Sequence, residues 1–181
     1  MKKKILWITR TAVMLALLIV LQWLTRPLGQ IVTGSCVNAV LAVTVLVAGC
    51  GSGLTIALIS PVAAYLLGIA PQIVTVPAIM LGNTVFVLIL WWVAGKRESF
   101  VCKIVAWVAA SVVKFAVMYA LVVWVICGAA SDILTVQGIL KQPMVAQLSV
   151  MFAWPQLCTA LIGSAFGLLI APVLKKALGK N

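Results

Sequence analysis

The stretch Ile104–Cys127, IVAWVAASVVKFAVMYALVVWVIC, decides the fold class because it is long and apolar apart from one charged side chain, Lys114. At a helical rise of about 1.5 Å per residue, Lys114 lies ~15 Å into this stretch, near the middle of a hydrocarbon core of about 30 Å. An ammonium group at that depth costs ~2.5 kcal/mol or more, so such residues usually face a protein interior or a water-filled cavity. The stretch therefore predicts a membrane-spanning helix with a polar cavity beside Lys114.

The composition of the whole chain agrees with a membrane protein. Of 181 residues, 65% are hydrophobic and 8% are charged, and the mean hydropathy is +1.28. These values lie outside the range of soluble domains. The net charge of +11 could suggest a nucleic-acid partner, but the basic residues cluster at the ends of apolar segments instead of forming a stripe. We therefore expect a lipid bilayer, and no nucleic acid, around this chain.

The sequence lacks the residue patterns of metal-binding, catalytic and ATP-hydrolysing proteins. The five cysteines show no CxxC spacing and the chain has no histidine, which argues against a disulfide framework and a metal site. No GxxxxGK[ST] motif, carboxylate pair or Ser/His/Asp set is present. The chain is predicted to be neither an enzyme nor an ATPase, and to carry no cofactor of its own.

The apolar segments predict an all-α integral membrane protein, folded as one compact bundle of six transmembrane helices over residues 1–181. Gly- and Pro-containing breaks, including Cys50-Gly51-Ser52-Gly53, separate the segments. The second and third segments are short and must extend into their flanking connections to cross a bilayer. The six segments are Ile5–Leu24, Ser35–Gly49, Leu54–Leu67, Ile73–Ala94, Lys103–Cys127 and Ala146–Leu174.

Charge placement predicts the orientation of the bundle. With both termini on one side, the opposite side carries only Arg26 and Lys141, and most basic residues lie beside the termini. The positive-inside rule then places both termini in the cytoplasm. The residues on the cytoplasmic side are Lys2, Lys3, Lys4, Arg10, Lys96, Arg97, Lys103, Lys175, Lys176 and Lys180.

The helical neighbours of Lys114 predict the kind of solute that the cavity binds. Ser111 and Trp107 lie one and two turns before Lys114 on the same face, which also carries Ala110, Met118 and Leu121. No acidic residue lies in any apolar segment, so the ammonium group has no internal counter-ion. The pattern favours a small organic solute with an anionic group. The alternative is a structural lysine that binds helix-end carbonyls or is held neutral by burial.

The sixth segment contains Trp154-Pro155-Gln156, where proline removes a backbone donor and frees the carbonyl of Met151. We expect a kink there, with the freed carbonyl satisfied by a neighbouring group or water. Gln147 and Trp154 share one face of this segment and Gln156 lies on another. One of these faces could line the cavity, or the proline could be a purely structural kink.

Other polar and small residues complete the pattern. Asn38 and Asn83 are amides inside apolar segments, and each could serve either an interhelical hydrogen bond or the cavity. The long connection Gly128–Val145 could be a lid or only a surface loop that tethers two segments, and a short helix capped by Ser131 could begin within it. Pairs of small residues at four-residue spacing mark close helix contacts, inside the chain or with a partner: Ala12 and Ala16, Ala106 and Ala110, Gly163 and Gly167.

With no Asp, Glu or His in its apolar segments, the chain lacks the groups that proton- or sodium-coupled carriers place in the membrane. A transporter built from it would draw its energy from another subunit. In length, number of segments, basic N-terminus, the alanine pair Ala12 and Ala16 and the pair Gly82-Asn83, the chain resembles the substrate-binding membrane subunits, or S components, of energy-coupling factor (ECF) vitamin transporters.

That resemblance implies a capture subunit in a prokaryotic plasma membrane that binds a vitamin-like solute tightly near the outer side. It implies partners: a membrane T component, met through Ala12 and Ala16, and two cytoplasmic ATPases that use ATP and Mg²⁺. It also implies ligand contacts at Lys114, Asn83, Trp154, Gln156 and the Gly128–Val145 connection. The alternative function is a homo-oligomeric pore or facilitator without ATPases, since faces of small residues also build oligomers.

Overall fold

The computed structural model describes residues 2–70, 72–95 and 99–179, with the side chains of Lys2 and Lys3 left out. Pro71, the predicted connection at Lys96-Arg97-Glu98 and the basic Lys180 lie outside the described residues. Within the described part the chain is all-helical. The α-helices are α1 (Lys2–Thr25), α2 (Gln30–Val47), α3 (Cys50–Leu66), α4 (Val76–Ala94), α5 (Phe100–Met118), α6 (Ser131–Val136), α7 (Gln142–Met151) and α8 (Trp154–Ala177).

Shorter elements join or extend these helices. Arg26–Leu28 and Ile73–Thr75 are 3₁₀ turns that lead into α2 and α4. Tyr119–Ala129 continues α5 as a π-helix, a rare form with hydrogen bonds five residues apart. The apolar composition of Ile104–Cys127 predicted a helix but carried no signal that its second half would be wound differently.

Five helices are long and apolar enough to cross a membrane, judged by length and composition over the described residues. They are Lys4–Leu28, Gln30–Val47, Ile73–Ala94, Phe100–Ala129 and Trp154–Ala177. The third predicted segment forms the shorter apolar helix Cys50–Leu66. The chain is therefore a multi-pass helical membrane protein with five candidate spans among the described residues, whereas the sequence predicted six.

Helix α2 lies at the centre of the bundle and contacts α1, α3, α4 and α8. Its middle turns are buried and contribute Leu41 and Val45 to an apolar core that also includes Leu18, Ile56 and Phe86. The predicted pair Ala106 and Ala110 is buried in the same core. Small residues therefore bring helices together inside this chain, as the sequence predicted.

Close approach of α8 to α2 depends on two glycines. A Cβ added to Gly163 would collide with the Ser35 carbonyl oxygen and lie 2.6 Å from the Cβ of Asn38. A Cβ added to Gly167 would overlap the Cβ of Ala42. The prediction that Gly163 and Gly167 mark a helix interface is confirmed, and this interface lies inside the chain.

Three sequence-based boundaries were wrong. The predicted segment Ala146–Leu174 is two helices, because α7 ends at Met151 and α8 begins at Trp154, with Pro155 in its first turn. The predicted break Cys50-Gly51-Ser52-Gly53 is the first turn of α3, and the turn lies at Ala48-Gly49, where Gly49 has a φ of 100°. The short helix at Ser131 exists, but Ala130 is its N-cap, and the Ser131 hydroxyl donates to the Gly128 carbonyl at 2.9 Å.

Candidate functional site

The bundle contains a polar cavity of about 250 Å³ at the end remote from the two chain termini. It is lined by the last turns of α1, α3 and α5, the first half of α2 and of α4, and the junction between α7 and α8. Its polar lining consists of Gln22, Arg26, Gln30, Thr33, Asn38, Ser60, Asn83, Lys114 and Gln156. No carboxylate among the described residues lines it.

A larger recess of about 490 Å³ lies between α1, α2 and α8, but its lining is almost wholly apolar. Its one hydroxyl, that of Ser35, donates to the carbonyl of Ile31 at 2.7 Å. A binding site needs a few convergent polar groups to orient a ligand. The smaller, polar cavity is therefore the candidate site.

Lys114 is one of two charged residues at the cavity wall, with Arg26, and is only 2% exposed. Its Nζ donates to Oδ1 of Asn38 in α2 at 2.5 Å and to Oδ1 of Asn83 in α4 at 2.7 Å. The Phe86 ring lies one turn beyond Asn83, with its centroid 5.1 Å from Nζ, within reach of a cation–π contact. The partners of the ammonium group are thus neutral, and its hydrogen bonds join three helices.

Gly82 allows α4 and α5 to bring Asn83 close to Lys114. A Cβ added to Gly82 would lie 2.7 Å from Cγ of Met118, which is one turn beyond Lys114 in α5. The absence of a side chain at Gly82 therefore lets the two helices approach closely beside the Asn83 and Lys114 pair.

Asn38 also links the cavity to α8. Its Nδ2 lies 3.5 Å from Oγ1 of Thr159, and that hydroxyl donates to the carbonyl of Gln156 at 3.0 Å. Gln156 lines the cavity from the first turn of α8. Hydrogen bonds therefore run from Lys114 through α2 to the chain segment that closes the cavity.

The junction between α7 and α8 is held by a side chain that the sequence did not single out. Nε2 of Gln30 donates to the carbonyl of Met151 at 2.6 Å. The sequence predicted that Pro155 would free this carbonyl and that a neighbour would satisfy it, which is confirmed. The physical outcome is a helix break instead of a kink, with Met151 and Phe152 facing the cavity.

Two amides at the cavity wall have buried atoms without a hydrogen-bond partner among the described residues. They are Nδ2 of Asn83 and Oε1 of Gln22. Gln22 is only 8% exposed, so its carbonyl oxygen is not simply solvated. Buried polar groups are nearly always paired, and each unpaired one calls for an explanation.

Four of the residues predicted to bind substrate line this cavity: Lys114, Asn38, Asn83 and Gln156. The other four lie outside its lining. Nε1 of Trp107 donates to the Leu161 carbonyl at 2.8 Å, and the Ser111 and Ser164 hydroxyls lie 3.1 Å apart, so both residues join α5 to α8. Trp154 is 72% exposed and stacks on Phe115, and Gln147 is exposed on α7.

Gln22, Arg26 and Gln30 line the cavity but were not predicted as site residues. Gln22 carried a usable signal, since it is an amide directly after the apolar run Ala12–Leu21. Arg26 and Gln30 lie in a connection, where polar residues are ordinary. Only the structure distinguishes Arg26 and Gln30 from other loop residues, because it shows that they line the cavity.

No group of three or more His, Cys, Asp or Glu side chains that could hold a metal ion occurs in the described part of the chain. The fold and the cavity together define a class of protein: a multi-pass helical membrane protein with a small cavity, partly lined by polar side chains, between its helices. A family model described as "ECF transporter, substrate-specific component" matches residues 7–175. The chain belongs to this family of substrate-capture subunits of ECF importers. No curated protein and no solved structure matches it.

Proposed function

We propose that this chain is the high-affinity capture subunit of an ATP-driven ECF importer for a vitamin-like solute whose anionic group binds Lys114. The single observation that carries the proposal is the ammonium group itself. It lines a cavity, it is buried, and its only hydrogen-bond partners among the described residues are two neutral amides. A buried charge without a counter-ion is costly unless a ligand of opposite charge compensates it.

The rest of the lining supports an anionic ligand. Arg26 contributes a second cation, and the described acid Asp132 is exposed on α6, away from the lining. Nδ2 of Asn83 is an unpaired donor beside Lys114. A carboxylate could accept hydrogen bonds from both groups, and such charge-assisted bonds are the strong ones. Neutral groups and aliphatic side chains such as Ile79 and Met118 complete the wall.

The proposal includes six spans with both termini in the cytoplasm of a prokaryotic cell. Helix α3 contacts α1, α2 and α4, and its residues Cys50–Leu66 are about 25 Å long at a helical rise, close to the hydrocarbon thickness. Lys4, Arg10, Lys103, Lys175 and Lys176 belong to the parts of α1, α5 and α8 farthest from the cavity. The positive-inside rule then makes the cavity open outward, where substrate arrives.

The proposed partners are a membrane T component and two cytoplasmic ATPases, which would use ATP and Mg²⁺. Ala12 and Ala16 are exposed on the same outer face of α1. Small residues on a lipid-facing helix allow another helix to approach closely. This exposure supports α1 as the face that meets the T component.

The test is affinity purification of the chain from its native membranes in mild detergent, with mass spectrometry of co-purifying proteins and of small molecules released on denaturation. We expect one membrane partner, two ATPase subunits and an anionic solute. Recovery of a homo-oligomer without ATPases would instead favour a pore or facilitator. Release of a cationic solute would contradict the role proposed for Lys114.

A further inference from the structure

The amide of Gln22 is the feature from which we infer more about the substrate. Gln22 lies in the last turns of α1 and belongs to the cavity lining. It is nine-tenths buried, and its Oε1 has no hydrogen-bond partner among the described residues. Leucine would fill the same space and would fit the apolar segment, so the buried amide needs a reason beyond packing.

The chemistry of a primary amide defines what can pair with it. A glutamine side chain presents one carbonyl acceptor and one N–H donor side by side, whichever way the amide is turned. Its complement is a group that donates and accepts side by side, such as an amide, a ureide or a lactam. A ligand with this edge can pair with both groups of the amide, whereas an aliphatic chain leaves the buried Oε1 of Gln22 unpaired.

The second anchor is separate from the first. Lys114 and Asn83 belong to α5 and α4, and Oδ1 of Asn83 accepts from Lys114, so Asn83 can offer a ligand only its N–H donors. This end of the cavity therefore suits an acceptor, and Lys114 favours a charged one. Gln22 belongs to α1 at another part of the wall. A ligand that reaches both must carry two different polar groups on one small body.

We propose that the substrate is a small carboxylate-type anion that also carries an amide-type donor–acceptor edge, and that Gln22 is the residue that selects for this edge. This inference rests on the proposed function, since it assumes a ligand in this cavity. It adds Gln22 of α1 to the residues that determine which substrate the site binds. The cavity of about 250 Å³ is smaller than the range of drug-sized pockets, which limits the ligand to a small molecule.

The experiment measures the affinity of the purified full chain for five defined probes. Pantothenate and biotin carry a carboxylate with an amide or ureide, lipoate and nicotinate carry a carboxylate without one, and pantothenol carries an amide without a carboxylate. We expect pantothenate or biotin to bind at least about tenfold more tightly than the other three, because an unpaired buried amide is costly. Tightest binding of lipoate, nicotinate or pantothenol would overturn the inference, as would binding of none.

Variants at Gln22 test whether this residue recognises the amide group of the ligand. Gln22→Met keeps the length of the side chain without hydrogen-bonding groups and should reduce the preference for amide-bearing carboxylates to about threefold or less. Gln22→Asn keeps an amide and should retain part of the preference. Gln137→Met, at an exposed glutamine outside the cavity lining, should change nothing. An unchanged preference in Gln22→Met would overturn the inference.

The same measurements separate this inference from the proposed function. If carboxylates bind and Lys114→Met weakens their binding about tenfold or more, but Gln22→Met leaves the preference unchanged, the capture function stands and the role of Gln22 is wrong. If neither variant alters binding of any probe, or if no probe binds at all, the cavity is not the substrate site and both proposals fail.

Discussion

The ammonium group of Lys114 in α5 donates a hydrogen bond to the side-chain oxygen of Asn83 in α4, with Nζ and Oδ1 2.7 Å apart. Asn38 supplies the second acceptor from α2. These bonds satisfy donors of the lysine but do not neutralise its charge. The residue therefore joins three helices and still carries a charge that an anion can neutralise.

Lys114→Met should weaken ligand binding by about tenfold or more, since hydrogen bonds to charged groups contribute roughly 1.5–3 kcal/mol. It should also lower the melting temperature, because the side-chain oxygens of Asn38 and Asn83 lose their partner. The measurement is calorimetric titration of the folded variant with the solute that co-purifies with the unmodified chain. Lys141→Met, at an exposed lysine outside the cavity, is the control. Equal affinity in the two variants would contradict the ligand role.

Gly163→Ala should destabilise the bundle by about 1–3 kcal/mol, because the added methyl group collides with the backbone of α2 at Ser35. Thermal unfolding in detergent measures the effect. Gly128→Ala is the matched control, since its added Cβ would lie 3.4 Å from the nearest atom, the Val123 carbonyl oxygen. Equal unfolding temperatures for the two variants would argue against close packing of α8 on α2.

Gln30→Leu should loosen the junction between α7 and α8, because the Met151 carbonyl loses its 2.6 Å hydrogen bond. Hydrogen exchange followed by mass spectrometry should show faster exchange at residues 150–156 and little change in α5. Gln147→Leu, at an exposed glutamine on α7, is expected to leave exchange unchanged. Identical protection of residues 150–156 in both variants would show that Gln30 does not hold this junction.

Trp107→Phe should lower stability by roughly 0.5–1.5 kcal/mol through loss of the hydrogen bond to the Leu161 carbonyl. Because Trp107 lies outside the cavity lining, we expect ligand affinity to stay within about twofold of the unmodified chain, well under the tenfold step that corresponds to 1.4 kcal/mol. Unfolding temperature and calorimetric titration together test both statements. Trp92→Phe, at a tryptophan that is 82% exposed, should change neither quantity. A large loss of affinity in Trp107→Phe would indicate that Trp107 does contribute to ligand binding.

Ala12→Leu combined with Ala16→Leu should prevent association with the T component while leaving ligand binding intact, because bulky side chains keep a partner helix away from α1. Co-purification of the partner subunits measures association. Val108→Leu with Val112→Leu alters an exposed face of α5 at the same four-residue spacing and serves as the control. Normal complex formation by the alanine variant would place the interface elsewhere.

The sequence by itself determined the class of protein. Apolar runs of spanning length can satisfy their backbone only as helices in a bilayer, so the helices followed from composition. Lys114, Asn38, Asn83 and Gln156 could also be chosen from the sequence, because polar side chains inside apolar segments are costly without a purpose. The freed carbonyl of Met151 followed from the chemistry of proline.

Only the tertiary structure decided which polar residues meet. Trp107 and Lys114 share a helix face in the sequence pattern, yet Trp107 binds the α8 backbone while Lys114 binds α2 and α4. Gln22 and Gln30 belong to different helices and come to the same cavity only through the packing of α1 against α2. Helical periodicity shows which residues share a face of one helix. It does not show which other helix that face contacts, because this depends on close packing between residues far apart in the chain, such as the packing of Gly163 against α2.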